Sequence, residues 1–288
     1  MYLSKEKYHK YMQYGIYMHH YCKKIHSACL FHLPARDDKL MQDGKDAMQN
    51  SISENDFNRY LELIGDGREG LEKWENQLKT KINGLDDMSL VVFNSNPFSL
   101  GHRYLVEIAA KRSKHVLVLV IQGRPESGGK GNHETTGIAF DFNDRLTMTG
   151  RCLSDMKGVT VLPSGPYVIS RDDFPDGFLS DRMGKVPAHA ILDSMVLCHI
   201  CGALGIMKMF AGDEPRDEMS EIHLNALRTQ CAQDKIVLKV AERKRLGEKY
   251  ISSSMVRQDI ADCKEEEIRQ IVPEIVLGYI SGLSGHSA

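Results

Sequence analysis

The stretch that most limits the fold is Leu90-Val91-Val92-Phe93 followed by Asn94-Ser95-Asn96-Pro97-Phe98-Ser99-Leu100-Gly101-His102. The apolar run ends abruptly at a polar Asn/Ser/Pro loop. Apolar residues then recur at helical spacing through Tyr104, Leu105, Ile108 and Ala109, which predicts strand, tight turn and helix. The first amides of a helix are unpaired and its dipole is positive there, so a helix starting directly after a strand offers an anion site. His102 falls in that first turn, where it can aim a further donor at a phosphate. The expectation is a turn that handles a nucleoside triphosphate.

The chain beyond this turn fits such a site. Strand patterns at 90–93, 115–122, 159–162, 206–211 and 236–240 alternate with helical patterns at 101–112, 142–156, 188–204 and 220–232, and further helices are predicted at 253–261 and 265–279. The Val-Leu-Val-Leu-Val-Ile centre of 115–122 is apolar throughout, as in a strand covered on both faces. Five strands interleaved with helices predict an α/β, doubly wound, Rossmann-like parallel five-stranded sheet, which binds ligands at the carboxyl ends of its strands. The predicted domains are a helical N-terminal arm or subdomain at 1–86 and the main domain with C-terminal helices at 87–288.

Within the arm, Tyr8, Tyr11, Gly15, Met18, Cys22, Ile25 and Cys29 draw one stripe on a helix from Lys5 to Leu30, stopped at Leu33-Pro34. A second helix starts at Ser53, which stands three residues before Asp56 as in a capping box, and ends at Gly65-Asp66-Gly67; a third runs from Glu69 through Trp74 to Ile82. His19, Cys22, His26 and Cys29 cluster, but one straight helix supplies only two ligands of a tetrahedral set, so no metal is assigned. The aromatic and Met content suits packing on the main domain, or a partner or homo-oligomer contact through these helices.

Lys and Arg total 37 against 39 Asp and Glu, a net charge of -2, so no basic field argues for nucleic acid. Seven cysteines without a framework, and an N-terminus lacking a signal segment, predict a cytoplasmic protein. No apolar run approaches the roughly 18 residues that span a bilayer, so no membrane is assigned.

Residues 123–140 read as a solvent loop. Gly123 to Gly128 has the spacing of a phosphate loop, but Gly129 stands where Lys is required, leaving Arg124 and Lys130 as its only phosphate candidates. Cys198 and Cys201 lie inside an apolar helix and read as core. Ile251-Ser252-Ser253-Ser254-Met255-Val256-Arg257 places three hydroxyls and a helix start ahead of an Arg one turn on, a second phosphate cradle. A simple N-cap would explain either segment singly; together they point to nucleotide binding.

Ser99-Leu-Gly-His102 follows the H/T-x-G-H signature of the nucleotidyltransferase superfamily, with Ser first. Together with Tyr167-Val-Ile-Ser-Arg-Asp-Asp-Phe-Pro175, Phe178-Leu179, Gly212-Asp-Glu-Pro215, Asn225 and the Ile-Ser-Ser-Ser-x-Val-Arg segment, it resembles the nucleotidyltransferase part of citrate lyase ligases across most of 89–262. The resemblance implies that ATP and acetate give acetyl-adenylate and pyrophosphate, and that the acetyl group then passes to a carrier thiol. ATP (or CTP), Mg2+ and an acyl carrier protein are thereby implied as nucleotide, metal and partner. His102 and Ser99 would meet the triphosphate, Arg257 with Ser252, Ser253 and Ser254 would hold its β and γ phosphates, and Phe93, Asn94, Asn96, Pro97 and Gly101 would form the turn around it. Gly212 and Glu214 would lie by the nucleoside. Ser170, Arg171 and Phe174 would shape an acyl or acceptor site, with structural cover an equal reading, and Arg145 is either a ligand contact or an exposed salt bridge. Familiar members carry an acetyltransferase-like domain ahead of this one, longer than the helical arm here; Ser180 replaces their Lys. Two alternatives remain: a cytidylyl- or adenylyltransferase acting on a small phosphorylated substrate, and a nucleotide-binding regulatory or assembly protein.

Overall fold

The computed structural model describes residues 52–123, 139–213 and 218–284. The expected helix from Lys5 to Leu30, its His/Cys cluster, most of the 123–140 loop and Glu214 lie outside the described residues.

Five strands, β1 (Met88–Phe93), β2 (His115–Val120), β3 (Val159–Pro163), β4 (Lys208–Gly212) and β5 (Val237–Ala241), form one parallel sheet in the order β3-β2-β1-β4-β5. The expected doubly wound sheet is present, and its order reverses between β1 and β4, which opens a crevice at their carboxyl ends. Alternation along the strands feeds two cores. Met88, Leu90, Leu117 and Leu119 enter one buried cluster, while Val91, Phe93, Val116 and Val118 enter the other.

On the first face lie α1 (Glu54–Ile64), α2 (Gly67–Lys81), α6 (Lys185–Leu204) and α7 (Glu218–Gln233); their Tyr60, Leu71, Leu192 and Leu227 share that cluster. The second face is covered by α3 (Leu100–Ala110), α4 (Phe142–Cys152), and the C-terminal α8 (Ser253–Ala261), α9 (Glu265–Ile271) and α10 (Glu274–Ser284), through Val106, Met148, Val256, Ile271 and Val276. A short α5 (Ser180–Met183) precedes α6. Each large apolar side chain buried here contributes about 1.5–3 kcal/mol.

Local sequence sets the ends of these helices. Ser53 caps α1 reciprocally with Asp56: the Asp56 carboxylate accepts from Ser53 N at 3.0 Å, and Ser53 Oγ accepts from Asp56 N at 3.1 Å. Tyr167 reaches back to the α1–α2 junction, where its Oη accepts from Asp66 N at 3.2 Å. A Cβ on Gly70 would stand 2.1 Å from that hydroxyl, so a bare backbone is required there. Val168, Ile169, Phe174 and Phe178 follow Tyr167 into the same core, the structural-cover reading of this block.

Three expectations change. The single helix at 265–279 is two, broken ahead of Pro273, whose ring cannot donate to the helix ladder. A two-stranded hairpin, β6 (Arg245–Leu246) with β7 (Lys249–Tyr250), was not signalled by periodicity because each strand has two residues. Finally, α6 is long and apolar enough to cross a membrane by length and composition, although no single apolar run showed it; 67% of its apolar window is buried inside this fold. Cys198 and Cys201 are indeed buried on α6, with Cys198 Sγ 3.6 Å from Cys231 Sγ.

Candidate functional site

A cavity of ≈ 920 Å³ opens where β1, β4 and β5 end. Its first wall grows from a reciprocal cap. Ser99 is the N-cap of α3, and its hydroxyl accepts from the amide of His102. In return His102 Nδ1 accepts from Ser99 N at 3.0 Å and lies 3.1 Å from Ser99 Oγ. Because Nδ1 is an acceptor, the neutral ring carries its proton on Nε2. The imidazole packs against Phe93 and Phe98, ring centroids 4.6 and 5.5 Å away. Burial, and then the charge of Arg243, push its pKa down to about 3. His102 therefore offers the cavity a fixed N–H donor while staying uncharged near neutral pH.

The second wall is α8, brought against α3 at Gly101, where a Cβ would lie 2.9 Å from the Ile251 carbonyl oxygen. Ser252 caps α8, accepting from Met255 N at 3.1 Å. Ser253 Oγ donates to Pro97 O at 2.9 Å, and Arg257 Nη1 donates to Asn96 O at 2.6 Å. The turn at 94–97 is thus bolted to the start of α8. Two helix N-termini and the hydroxyls of Ser252, Ser253 and Ser254 converge on the cavity, joined by Arg243, Lys244 and Lys249. Phe93, Asn94, Gly212, Ser170 and Arg171 also line it, while Asn96, Pro97 and Arg257 stand behind the lining. Arg257 reaches the cavity wall through Ser254, to whose Oγ its Nη2 donates at 3.3 Å.

Two expected site residues fall elsewhere. Arg145 is neither an exposed salt bridge nor a cavity residue: it is 2% exposed, and its guanidinium donates to the carbonyls of Asn94 and Ile121, both at 2.7 Å, and to Asn94 Oδ1 at 2.5 Å. It ties the ends of β1 and β2 together, because carbonyls leaving a sheet edge need donors. Phe174 is buried in the first core, 5.7 Å from the Tyr60 ring and 5.5 Å from that of His189. Ser170 Oγ donates to Asp173 Oδ2 at 2.7 Å, fixing the turn that carries Arg171.

The wall from the other face of the sheet comes from α6 and α7 and was missed in the sequence. His189 and Asp193 on α6 and His223 on α7 line it beside Leu197, Leu224 and Leu227. Asp193 is buried, with Oδ2 3.3 Å from His223 Nε2 and Oδ1 lacking a hydrogen-bond partner among the described residues. Burial pushes Asp193 up to about 7 and His223 down to about 4. The available signal was a His and an Asp four residues apart on one face of an otherwise apolar helix. The basic residues Arg243 and Lys244 of the lining follow just after β5 in the chain. Among the described residues no three His, Cys, Asp or Glu side chains group as a metal site.

A neutral histidine donor at one helix start and a serine-rich second helix start thus line one cavity at the switch point of a doubly wound parallel sheet, the architecture of an α/β protein. The chain belongs to the citrate lyase ligase C-terminal domain family, whose profile matches residues 88–280. The citrate (pro-3S)-lyase ligase of Haemophilus influenzae is 29% identical over 78% of this chain and 65% of its own length; that of Escherichia coli K12 is 27% identical over 75% and 60%. The chain thus spans under two thirds of these relatives. Among solved structures, Thermus thermophilus pantothenate synthetase is similar over 63% of this chain and 65% of its own, with TM-score 0.42 and 18% identity. Thermotoga maritima TmcAL bound with alpha-thio ATP is similar over 68% and 56%, with TM-score 0.43 and 15% identity.

Proposed function

We propose that this protein is an ATP-dependent, AMP-forming ligase that activates acetate or a related small carboxylate as an acyl-adenylate, for delivery to a carrier thiol. The observation that carries this reading is the Ser99–His102 cap, which leaves one fixed Nε2–H donor between two converging helix starts. A carboxylate needs no deprotonation to attack the α-phosphorus. What the reaction requires is in-line positioning and stabilisation of charge growing on phosphate oxygens and on pyrophosphate. His102 donates to that charge, the amides and hydroxyls of Ser252–Ser254 cradle the β and γ phosphates, and Arg243, Lys244 and Lys249 neutralise the leaving group. Ser99 holds the His102 ring, and Arg257 holds Ser254 and the Asn96 turn in register. A magnesium ion entering with the triphosphate would add further charge neutralisation at this end of the cavity. Gly212, at the end of β4, lies on the nucleoside side, and the Ser170–Arg171 turn on the acyl side. Membership of the citrate lyase ligase family supports ATP and acetate over the alternatives.

The test is acetate-dependent exchange of labelled pyrophosphate into ATP. Unmodified protein should catalyse it, and His102→Ala should slow it about 100-fold, the usual cost of removing one preorganised donor. Turnover that needs a sugar- or polyol-phosphate and ignores acetate would sink the ligase reading.

A further inference from the structure

The cavity has two chemically different ends, and the proposed function uses only one. Acyl-adenylate formation consumes a carboxylate already ionised, so it calls for donors and cations alone. Passing the acyl group to a thiol is different, because a proton must leave the sulfur as the bond forms. The basic end cannot accept it. Arg243, Lys244 and Lys249 offer hydrogen-bond donors and no acceptor, the serines are poor bases, and His102 Nδ1 is occupied by the Ser99 amide. Glu242 lies at the mouth, its side chain 73% exposed and 3.5 Å from Arg245.

On the opposite wall the parts of a proton acceptor are assembled. The His223 side chain is 33% exposed along this cavity, its Nε2 lies 3.3 Å from Asp193 Oδ2, and no hydrogen bond occupies its Nδ1 among the described residues. Asp193 is 4% exposed and keeps Oδ1 without a partner. Burial makes Asp193 costly to ionise while Oδ1 lacks a partner, and a proton arriving on the neutral His223 ring beside it would repay that cost. His189 is differently placed. Its Nε2 donates to Ile169 O at 3.1 Å, Arg171 and Lys185 bring positive charge toward it, and its ring lies 5.8 Å from that of His223. The apolar floor of Leu197, Leu224 and Leu227 would keep water from a reactive acyl-adenylate.

Building on the ligase reading, we infer that His223 is the general base of the acyl-transfer half-reaction and that Asp193 is its positioning residue. The thiol sulfur attacks the acyl carbon, a C–S bond forms, and the C–O bond to the phosphate breaks. AMP leaves with that oxygen and its electron pair, and the thiol proton moves to His223 Nδ1, where Asp193 balances the charge before release to solvent. The substrate class for this wall is an acyl-acceptor thiol on a flexible arm, and the nucleotide's phosphates stay at the other end.

The two halves can be measured separately on the full chain: acetate-dependent ATP–pyrophosphate exchange for the first, and thioester formation on N-acetylcysteamine for the second. In His223→Gln the ratio of transfer to exchange should fall about 100-fold at pH 7, and recover as pH rises through the ordinary thiol range near 8.5, where solution supplies the thiolate. Asp193→Asn, which keeps volume and shape, should show a smaller fall with the same recovery. A ratio that does not change, a loss without recovery at high pH, or exchange without any thioester in the unmodified protein would overturn the inference while leaving the ligase reading standing. Absence of acetate-dependent exchange in the unmodified protein would remove both.

Discussion

At the scale of the residue, chemistry and architecture divide two arginines that composition alone cannot rank. Arg145 satisfies carbonyls at the ends of β1 and β2, and burial pulls its pKa down only to about 10, so it stays charged at neutral pH. Arg145→Met should lower unfolding stability by about 3 kcal/mol in urea titration, since several buried carbonyls would lose their donor. Arg257 instead fixes the Asn96 carbonyl and Ser254 at the start of α8. Arg257→Ala should slow acetate-dependent exchange at least tenfold, or about 1.4 kcal/mol, with less effect on stability. The Ser99–His102 and Ser252–Arg257 segments were legible because capping is local, acting over three or four residues of chain. The burial of Arg145 was not, because its acceptors come from residues 94, 121, 122 and 140, which only the folded sheet gathers.

At the scale of the element, the approach of α3 to α8 is the contact on which the site turns. Its tolerance is set at Gly101, because a methyl there would meet the Ile251 carbonyl at 2.9 Å. Gly101→Ala should raise the apparent KM for ATP about tenfold in the exchange assay, with the far-UV circular dichroism spectrum retained. An unchanged KM would mean that the two helix starts do not share the triphosphate. The cap on α1 makes a simpler case: Ser53→Ala should cost about 1 kcal/mol by urea titration and leave exchange alone. Helix starts and most strands were readable from pattern, whereas the 265–279 segment was misread because its apolar period runs on through Pro273.

At the scale of the whole molecule, the cavity gathers buried ionisable groups whose linkage sets the response to acid. His102, His189 and His223 have pKa values pushed down by burial to about 3, 4 and 4, below their ordinary 6.5. The unfolded chain takes up protons below 6.5 that the native protein refuses, so these groups stabilise above 6.5 and that contribution is lost as pH falls toward 4. Asp193 acts in the opposite sense: burial raises it to about 7, so the native state holds a proton that the unfolded state releases above about 3.8. Three histidines outweigh one carboxyl. Stability by urea titration should therefore fall from pH 7 to pH 5, and more steeply in Asp193→Asn, where the offset is gone. The sequence by itself determined the alternation that makes the sheet parallel, the two helix starts at Ser99 and Ser252 and the buried character of α6, because period, capping and composition act through near neighbours in the chain. Only the tertiary structure decided that Arg145 and Phe174 lie outside the cavity lining, that Arg257 bonds to Ser254 behind it, and that His223 meets Asp193 within it. Those relations join residues on separate helices and strands, and only packing brings such residues within hydrogen-bonding distance.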